Sequence, residues 1–399
     1  MRDILANPAF VRAALTSFFF SFGQNAFVLL PLYVKQLGGG ELEIGLVMGV
    51  YSAVGIVVQP LLGPWVDAIG RRPFMLAGIG CVLLSTVVAA SAHTVPLLIL
   101  VRLLQGVGFS AFFVANFSYV IDLIEPERRG MALGIYGVSG FASTALAPLL
   151  AEWLVRRWSF HALFLTSGLV VLVSAALAWQ VRESAHAEIR YVRGLQWARD
   201  IVGDIFRRHM AVSFFFGLGT GTLSAFMPTF AEELGVRTVA LFYTGYAVAA
   251  IAVRVIGGQL IDTAGRRAVI VPSMFVLAFA AGILAATGYG VARHVALPVL
   301  AVIVLTGMIC GGAHGFLYPA LAALVADDAP PARRGAVVGI FSALFLSGQA
   351  SGAFAFGAFA HGLGYPVMWA ALATAIAAGG VVSLGLERPA YTRVTQVNP

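Results

Sequence analysis

The chain has 399 residues, of which 60% are hydrophobic and 11% charged, with a formal net charge of +7 and a mean hydropathy of +0.91. A soluble domain spends roughly a quarter of its residues on charge, so a globule of this composition lacks the polar surface to cover itself, which excludes a cytosolic enzyme, a secreted disulfide scaffold and a disordered chain. A polytopic helical membrane protein remains, because long unbroken apolar runs are the opposite of the short alternating strands of a membrane β-barrel.

Twelve apolar segments follow one another: 10–33, 43–64, 73–92, 95–121, 131–152, 160–181, 210–231, 239–261, 268–288, 295–325, 335–360 and 364–386. Each is long enough to cross a hydrocarbon layer that takes about 20 helical residues. The first is too long for a signal-peptide core and no small-residue cleavage site follows it, so it reads as a retained helix. Cys81 and Cys310 fall inside apolar runs and read as packing residues, not as a disulfide. The one long connection, 182–209, sets Arg182, Arg190, Arg193, Arg199, Arg207 and Arg208 against Glu183, Glu188, Asp200 and Asp204. Recurring apolar residues in it (Ile189, Val192, Leu195, Trp197, Ile201, Ile205) suit a helix lying on a membrane surface. It divides the chain into a six-span half at 1–181, a linker at 182–209 and a six-span half at 210–399.

Basic charge is 24 Arg and a single lysine, Lys35. With the N-terminus inside, 18 Lys and Arg fall on the inner side and 5 on the outer, while Arg102 and Arg254 lie within spans. Lys and Arg accumulate on cytoplasmic loops, so both termini and the linker are expected in the cytoplasm.

The two halves repeat. Tyr51, Gly63, Asp67, Gly70, Arg71 and Arg72 recur 195 residues later as Tyr246, Gly258, Asp262, Gly265, Arg266 and Arg267. Asp122, Pro126, Arg128, Arg129, Gly130 and Gly134 recur 205 residues later as Asp327, Pro331, Arg333, Arg334, Gly335 and Gly339. Ser17, followed by three phenylalanines, matches Ser213 with three more. Ordered matches at nearly constant offset imply parallel halves with a site between them near mid-depth.

The turn after the second segment places Gly63, Asp67, Gly70, Arg71 and Arg72 in a fixed spacing, and the turn after the eighth repeats it. Glycine allows the sharp reversal, the arginines hold the turn at the surface, and the aspartate can accept from helix amides or pair with an arginine. This resembles the G-x-x-x-D-x-x-G-R-R/K signature of the major facilitator superfamily. The resemblance implies a latch that holds the cytoplasmic side shut while the outside is open, the bland alternative being a plain topology turn. Arg254, four residues before Gly258, is assigned to this latch rather than to a cavity.

A second pattern, Arg102, Gln105, Gly106 and Gly108, resembles the family's R-x-x-Q-G-x-G element, which there is linked to proton coupling. Arg102 is expected to face a wet cavity or a carboxylate, with snorkelling to the interface as the alternative. In the fifth segment, Ala147, Pro148, Ala151 and Glu152 stand where the family's antiporters carry G-P-x-x-G-G; the proline remains and the glycines do not, which weakens the inference of export.

Polar residues within spans are the cavity candidates: Gln24, Asn25, Tyr51, Arg102, Asn116, Tyr119, Tyr246, His314, Tyr318 and Gln349. His314 titrates near neutral pH when solvated, and its bland reading is a hydrogen-bonded packing residue. No Asp or Glu is assigned to mid-span, so proton coupling falls to Arg102, Asp122, Glu152 or His314, with Glu41, Glu43, Glu232 and Glu233 behind them. No phosphate-binding loop, zinc-protease motif or Cys/His cluster is present in the sequence, so neither ATP, a metal nor another cofactor is expected. The short basic loops lack the context of a nucleic-acid reader.

The expected fold is an all-α integral membrane protein with twelve transmembrane helices in two pseudo-symmetric six-helix bundles. The expected function is non-enzymatic: proton-coupled export of a small organic solute across the inner membrane, by a monomer whose partners are the solute, protons and the lipid bilayer. Proton-linked uptake of an organic anion, bound by Arg102 or His314, is the alternative. A transporter-like receptor that moves nothing is a second.

Overall fold

The computed structural model describes residues 2–125, 129–181, 208–256, 260, 263–328 and 334–386. Within them the chain is helical, with turns between the helices and no strand among the described residues. In a bilayer every main-chain polar group needs a partner within the protein, and a helix supplies one for each residue. After a short helix at Arg2–Ala6 come α1 (Pro8–Gln36), α2 (Glu41–Ile69), α3 (Arg71–Ala90), α4 (Val95–Asp122), α5 (Arg129–Arg157) and α6 (Phe160–Trp179). The second half runs α7 (Arg208–Glu233), α8 (Ala240–Ile256), α9 (Arg266–Ala292) and α10 (Val299–Asp328). The last helical run, Arg334–Leu384, turns at Gly364, whose φ of 79° no helix contains, and so forms α11 (334–363) and α12 (365–384). Twelve apolar helices result among the described residues, and the break falls at the first residue of the last apolar segment, one position past the 361–363 interval that hydropathy left.

The first crossing differs from the uninterrupted helix expected at 10–33. Asn7 caps it by accepting from the Ala9 amide at 3.0 Å, and Pro8 occupies the first turn. A tighter 3₁₀ turn then interrupts it at Ala26–Leu29. Pro31 follows: a proline has no N–H to donate and its ring crowds the carbonyl four residues earlier, so the chain shifts hydrogen-bonding pattern there.

Helices α1 to α6 pack among themselves, α1 on α4, α5 and α6, and α3 on α4 and α6. Helices α7 to α12 do likewise, α8 on α10, and α7 and α9 on the α11–α12 run. The two bundles meet where α2 lies on α11 and α5 on α8. The repeat is visible in the backbone. Gly38 and Gly235 hold φ of 85° and 75° after α1 and α7, and Gly70 and Gly265 hold 115° and 86° before α3 and α9, left-handed values that a Cβ disfavours. Gly106 of α4 lies against the Tyr51 carbonyl, and Gly311 of α10 against the Tyr246 carbonyl. Small residues at such crossings let helices approach where lipid offers no hydrophobic drive.

The expected surface helix of the linker falls on residues 182–207, which lie outside the described residues, as do Pro126, Arg128, Pro331, Arg333 and 387–399.

Candidate functional site

One end of the molecule carries the arginine-rich turns. There Arg71, buried at the start of α3, is held by three acceptors: Asp67 at 2.9 Å, Asp122 at 3.1 Å and the Val66 carbonyl at 3.1 Å. The turn at Gly70 reverses the chain so that α3 begins beside the end of α2, and the α4 terminus brings Asp122 to the same guanidinium. Arg72 lies 4.8 Å over the Trp179 ring. Asp122, expected among the proton-coupling groups, meets Arg71 at this turn, at the opposite end of α4 from Arg102. In the second copy, Arg267 donates to the Leu384 carbonyl at 2.5 Å and Arg266 opens α9. Its Gly258 and Asp262 lie outside the described residues.

Within the first bundle Arg102 is 7% exposed. Its guanidinium donates to Gln105 Oε1 at 3.0 Å, approaches the Met48 sulfur at 2.9 Å and lies 5.0 Å from the Tyr51 ring centroid. It therefore does not snorkel, and its Nε has no partner. Asn25 donates to Ser143 at 2.8 Å and Thr144 at 3.1 Å, tying α1 to α5, while both amide atoms of Gln24 are buried without a partner. Asn116 and Tyr119 were expected to line a cavity. Instead Asn116 donates to the Tyr136 hydroxyl at 2.9 Å and to the Ala13 carbonyl at 3.3 Å, and Tyr119 is buried in the same cluster. Both face the packed interior of the first bundle, and the Asn116 amide joins α1, α4 and α5.

The second bundle contributes an aromatic group. Tyr246 of α8 shares a hydrogen bond with His314 Nδ1 of α10. His314 meets the Phe216 ring at 4.9 Å and stacks over Tyr318, which packs on Phe345. Phe141 crosses from α5 to complete it, 5.7 Å from His314 and 4.6 Å beneath the Arg254 guanidinium. Arg254, assigned to the latch, reaches across to the other bundle, where a Cβ on Gly137 would meet its Nη1 at 2.5 Å. Helical side chains lean toward the helix N-terminus, which carries this guanidinium away from the α8 end and toward the aromatic group. Gln349 joins the halves: it accepts from Ser52 at 3.2 Å and donates to Thr220 at 3.2 Å.

At the opposite end the bundles are pinned together. Glu152 of α5 pairs with Arg156 and accepts from the Ala240 amide of α8 at 3.1 Å. Thr244 donates to the Ala145 carbonyl at 2.9 Å, Lys35 approaches Glu232 at 3.8 Å and His361 approaches Glu41 at 3.9 Å. Gly45 lies on the Ala353 backbone and Gly49 on the Phe354 ring. Toward the arginine-rich end such contacts lapse among the described residues. A Cβ on Gly63 of α2 or Gly134 of α5 would meet nothing within 4 Å, and Val255 is 71% exposed. Among the described residues the bundles are thus closed at one end and parted at the other, with polar and aromatic side chains between.

Sequence reasoning missed Phe141, Ser52 and Thr220. Only Phe141 left a signal: it is a large ring in a segment otherwise marked by Gly134, Gly137 and Gly140.

Comparison with known proteins agrees with the fold. A family model described as the Major Facilitator Superfamily matches residues 13–308 and 209–398. Multidrug resistance protein MdtL of Shewanella oneidensis is 26% identical over 41% of this chain and 41% of its own length. A chloramphenicol resistance protein of Pseudomonas aeruginosa is 30% identical over 45% of this chain and 43% of its own. The matched regions thus span less than half of each relative. The crystal structure of the nucleoside transporter NupG (D323A mutant) superposes with a TM-score of 0.78 at 13% identity, covering 95% of this chain and all of that one.

Proposed function

On the premise that this chain belongs to the Major Facilitator Superfamily, a family of multi-pass membrane transporters and not of enzymes, we propose that it exports a small organic solute by proton-coupled alternating access. One observation carries the reading: two bundles pinned at one end and parted at the other around a polar, aromatic mid-region. Two halves, 1–181 and 210–399, rock about that region, and the linker 182–209 joins them. The arginine-rich end faces the cytoplasm, by the excess of arginine on its loops. The structure is then the state that admits solute from inside. The protein sits in the inner membrane as a monomer, with both termini cytoplasmic. Export is supported by the resistance proteins among its relatives.

Proton-linked uptake is a second reading, favoured by one observation. The ionisable groups of the mid-region are Arg254 and His314 between the bundles and Arg102 within the first, with no carboxylate paired to them among the described residues. A proton on His314 is then held best when a negative solute lies next to it, and the two would move together.

Liposomes holding the purified protein, with an imposed pH gradient, test both. Solute moving against the proton flow supports export and solute moving with it supports uptake. Movement that ignores the gradient removes proton coupling.

A further inference from the structure

Arg254 is a cation without a counter-ion. Its guanidinium rests on the face of Phe141, its Nε makes no hydrogen bond, and no acidic side chain pairs with it among the described residues. The acids that the structure pairs are engaged elsewhere: Asp67 and Asp122 on Arg71, Glu152 on Arg156, Glu41 near His361 and Glu232 near Lys35. Withdrawing a guanidinium from water without a partner is costly, and in a membrane interior such a residue marks a site where charge arrives.

Arg102 is also unpaired by charge, but its remaining capacity is taken up by Gln105, Met48 and Tyr51, and it is sealed within the first bundle. Arg254 differs in three ways. It spans the seam between bundles, it is partly open, and it sits on the side where the bundles part. Around it lie Phe141, Tyr246, His314 and Tyr318, a wall of rings with hydroxyls.

We infer that the transported solute is an aromatic organic anion whose carboxylate or similar oxyanion docks on Arg254 while its ring lies against Phe141 and the His314–Tyr318 stack. The planar guanidinium offers two parallel donors that match a carboxylate, which an ammonium does not. Because Phe141 belongs to one bundle and Arg254 to the other, a solute held by both also bridges the two moving parts. This assignment rests on the transport reading, and it holds for either direction of movement.

The test uses the full chain, purified, and two probe series. Phenylacetate, 2-phenylethylamine and 2-phenylethanol share one scaffold; indole-3-acetate, tryptamine and tryptophol share another. Thermal unfolding is followed as each is titrated. Stabilisation by the carboxylate of at least one series, and not by its amine or alcohol, is expected. Arg254→Gln should weaken that response roughly 10- to 100-fold, the loss of a charge-assisted pair, and Arg254→Lys should restore part of it. Equal responses within both series, none at all included, overturn the proposal, and so does an Arg254→Gln protein that binds the carboxylate as the parent does. Uptake into liposomes separates the two layers of argument. A carboxylate that binds through Arg254 but is never moved removes the transport reading and leaves the site. An amine that is moved while both carboxylates are ignored removes the site and leaves transport.

Discussion

Glu152 of α5 accepts a hydrogen bond from the backbone amide of Ala240, the first residue of α8, at 3.1 Å. A carboxylate from one bundle thus caps a helix of the other, where the unsatisfied amides and the helix dipole favour negative charge. The cap exists only while this end is closed, so opening has to break it. Glu152→Ala should weaken the closed seam by roughly 1 kcal/mol, about a fivefold shift in population. Spin labels across the α5–α8 contact would register longer distances in the variant. Unchanged distances would mean that Thr244, Lys35 and Glu41 hold the seam without it.

Arg71 and Asp67 form one ion pair but do not share its weight. The Arg71 side chain is 9% exposed and that of Asp67 is 55%. Solvent screens the aspartate, so Asp67→Asn should cost about 0.5 kcal/mol or less in stability while lowering transport. Arg71→Gln strips the main partner from both Asp67 and Asp122 and should cost roughly 1–3 kcal/mol. Thermal unfolding of the two variants in parallel, with expression as a control, checks the ranking. If the aspartate variant is the less stable, the turn is built differently from this account.

Arg102 is surrounded by Tyr51, Gln105 and Met48, none of which is charged at neutral pH. Arg102→Ala should lower the transport rate at least about tenfold while the purified protein stays monodisperse, since the first bundle loses its buried cation and the fork that orients Gln105. A variant that transports normally would reduce Arg102 to a packing residue.

Gly311 and Gly63 are opposite cases. A Cβ at Gly311 would collide with the Tyr246 carbonyl, whereas one at Gly63 meets nothing within 4 Å. Gly311→Ala should therefore destabilise the protein by about 1–3 kcal/mol. Gly63→Ala should leave unfolding within about 0.5 kcal/mol of the parent and slow transport, because the parted end has to close on that face in the cycle. A Gly63→Ala protein with a full transport rate would show that this face never closes tightly.

The crossings were legible because a bilayer imposes a crude rule: a run of apolar residues long enough to span must be a helix. Hydropathy placed Phe160–Trp179 within two residues and set the last break at 361–363, one residue short of Gly364. It did not foresee the 3₁₀ turn before Pro31, where a local steric conflict matters and hydropathy does not. The site was legible only in part. Tyr246 and His314 do meet, yet Asn116 and Tyr119 turn inward and Phe141 went unnoticed.

By itself the sequence determined the class of environment, the apolar segments, the repeated halves and the turn that sets Asp67, Gly70 and Arg71 together. These follow from composition and from spacing along one chain. Tertiary structure alone decided which face of each helix meets the seam. In a bilayer both the lipid-facing and the protein-facing sides of a helix are apolar, so periodicity carries little record of its rotation. That rotation is what sends Asn116 into a packed core, sets Glu152 on the next bundle's helix and lays Arg254 over Phe141.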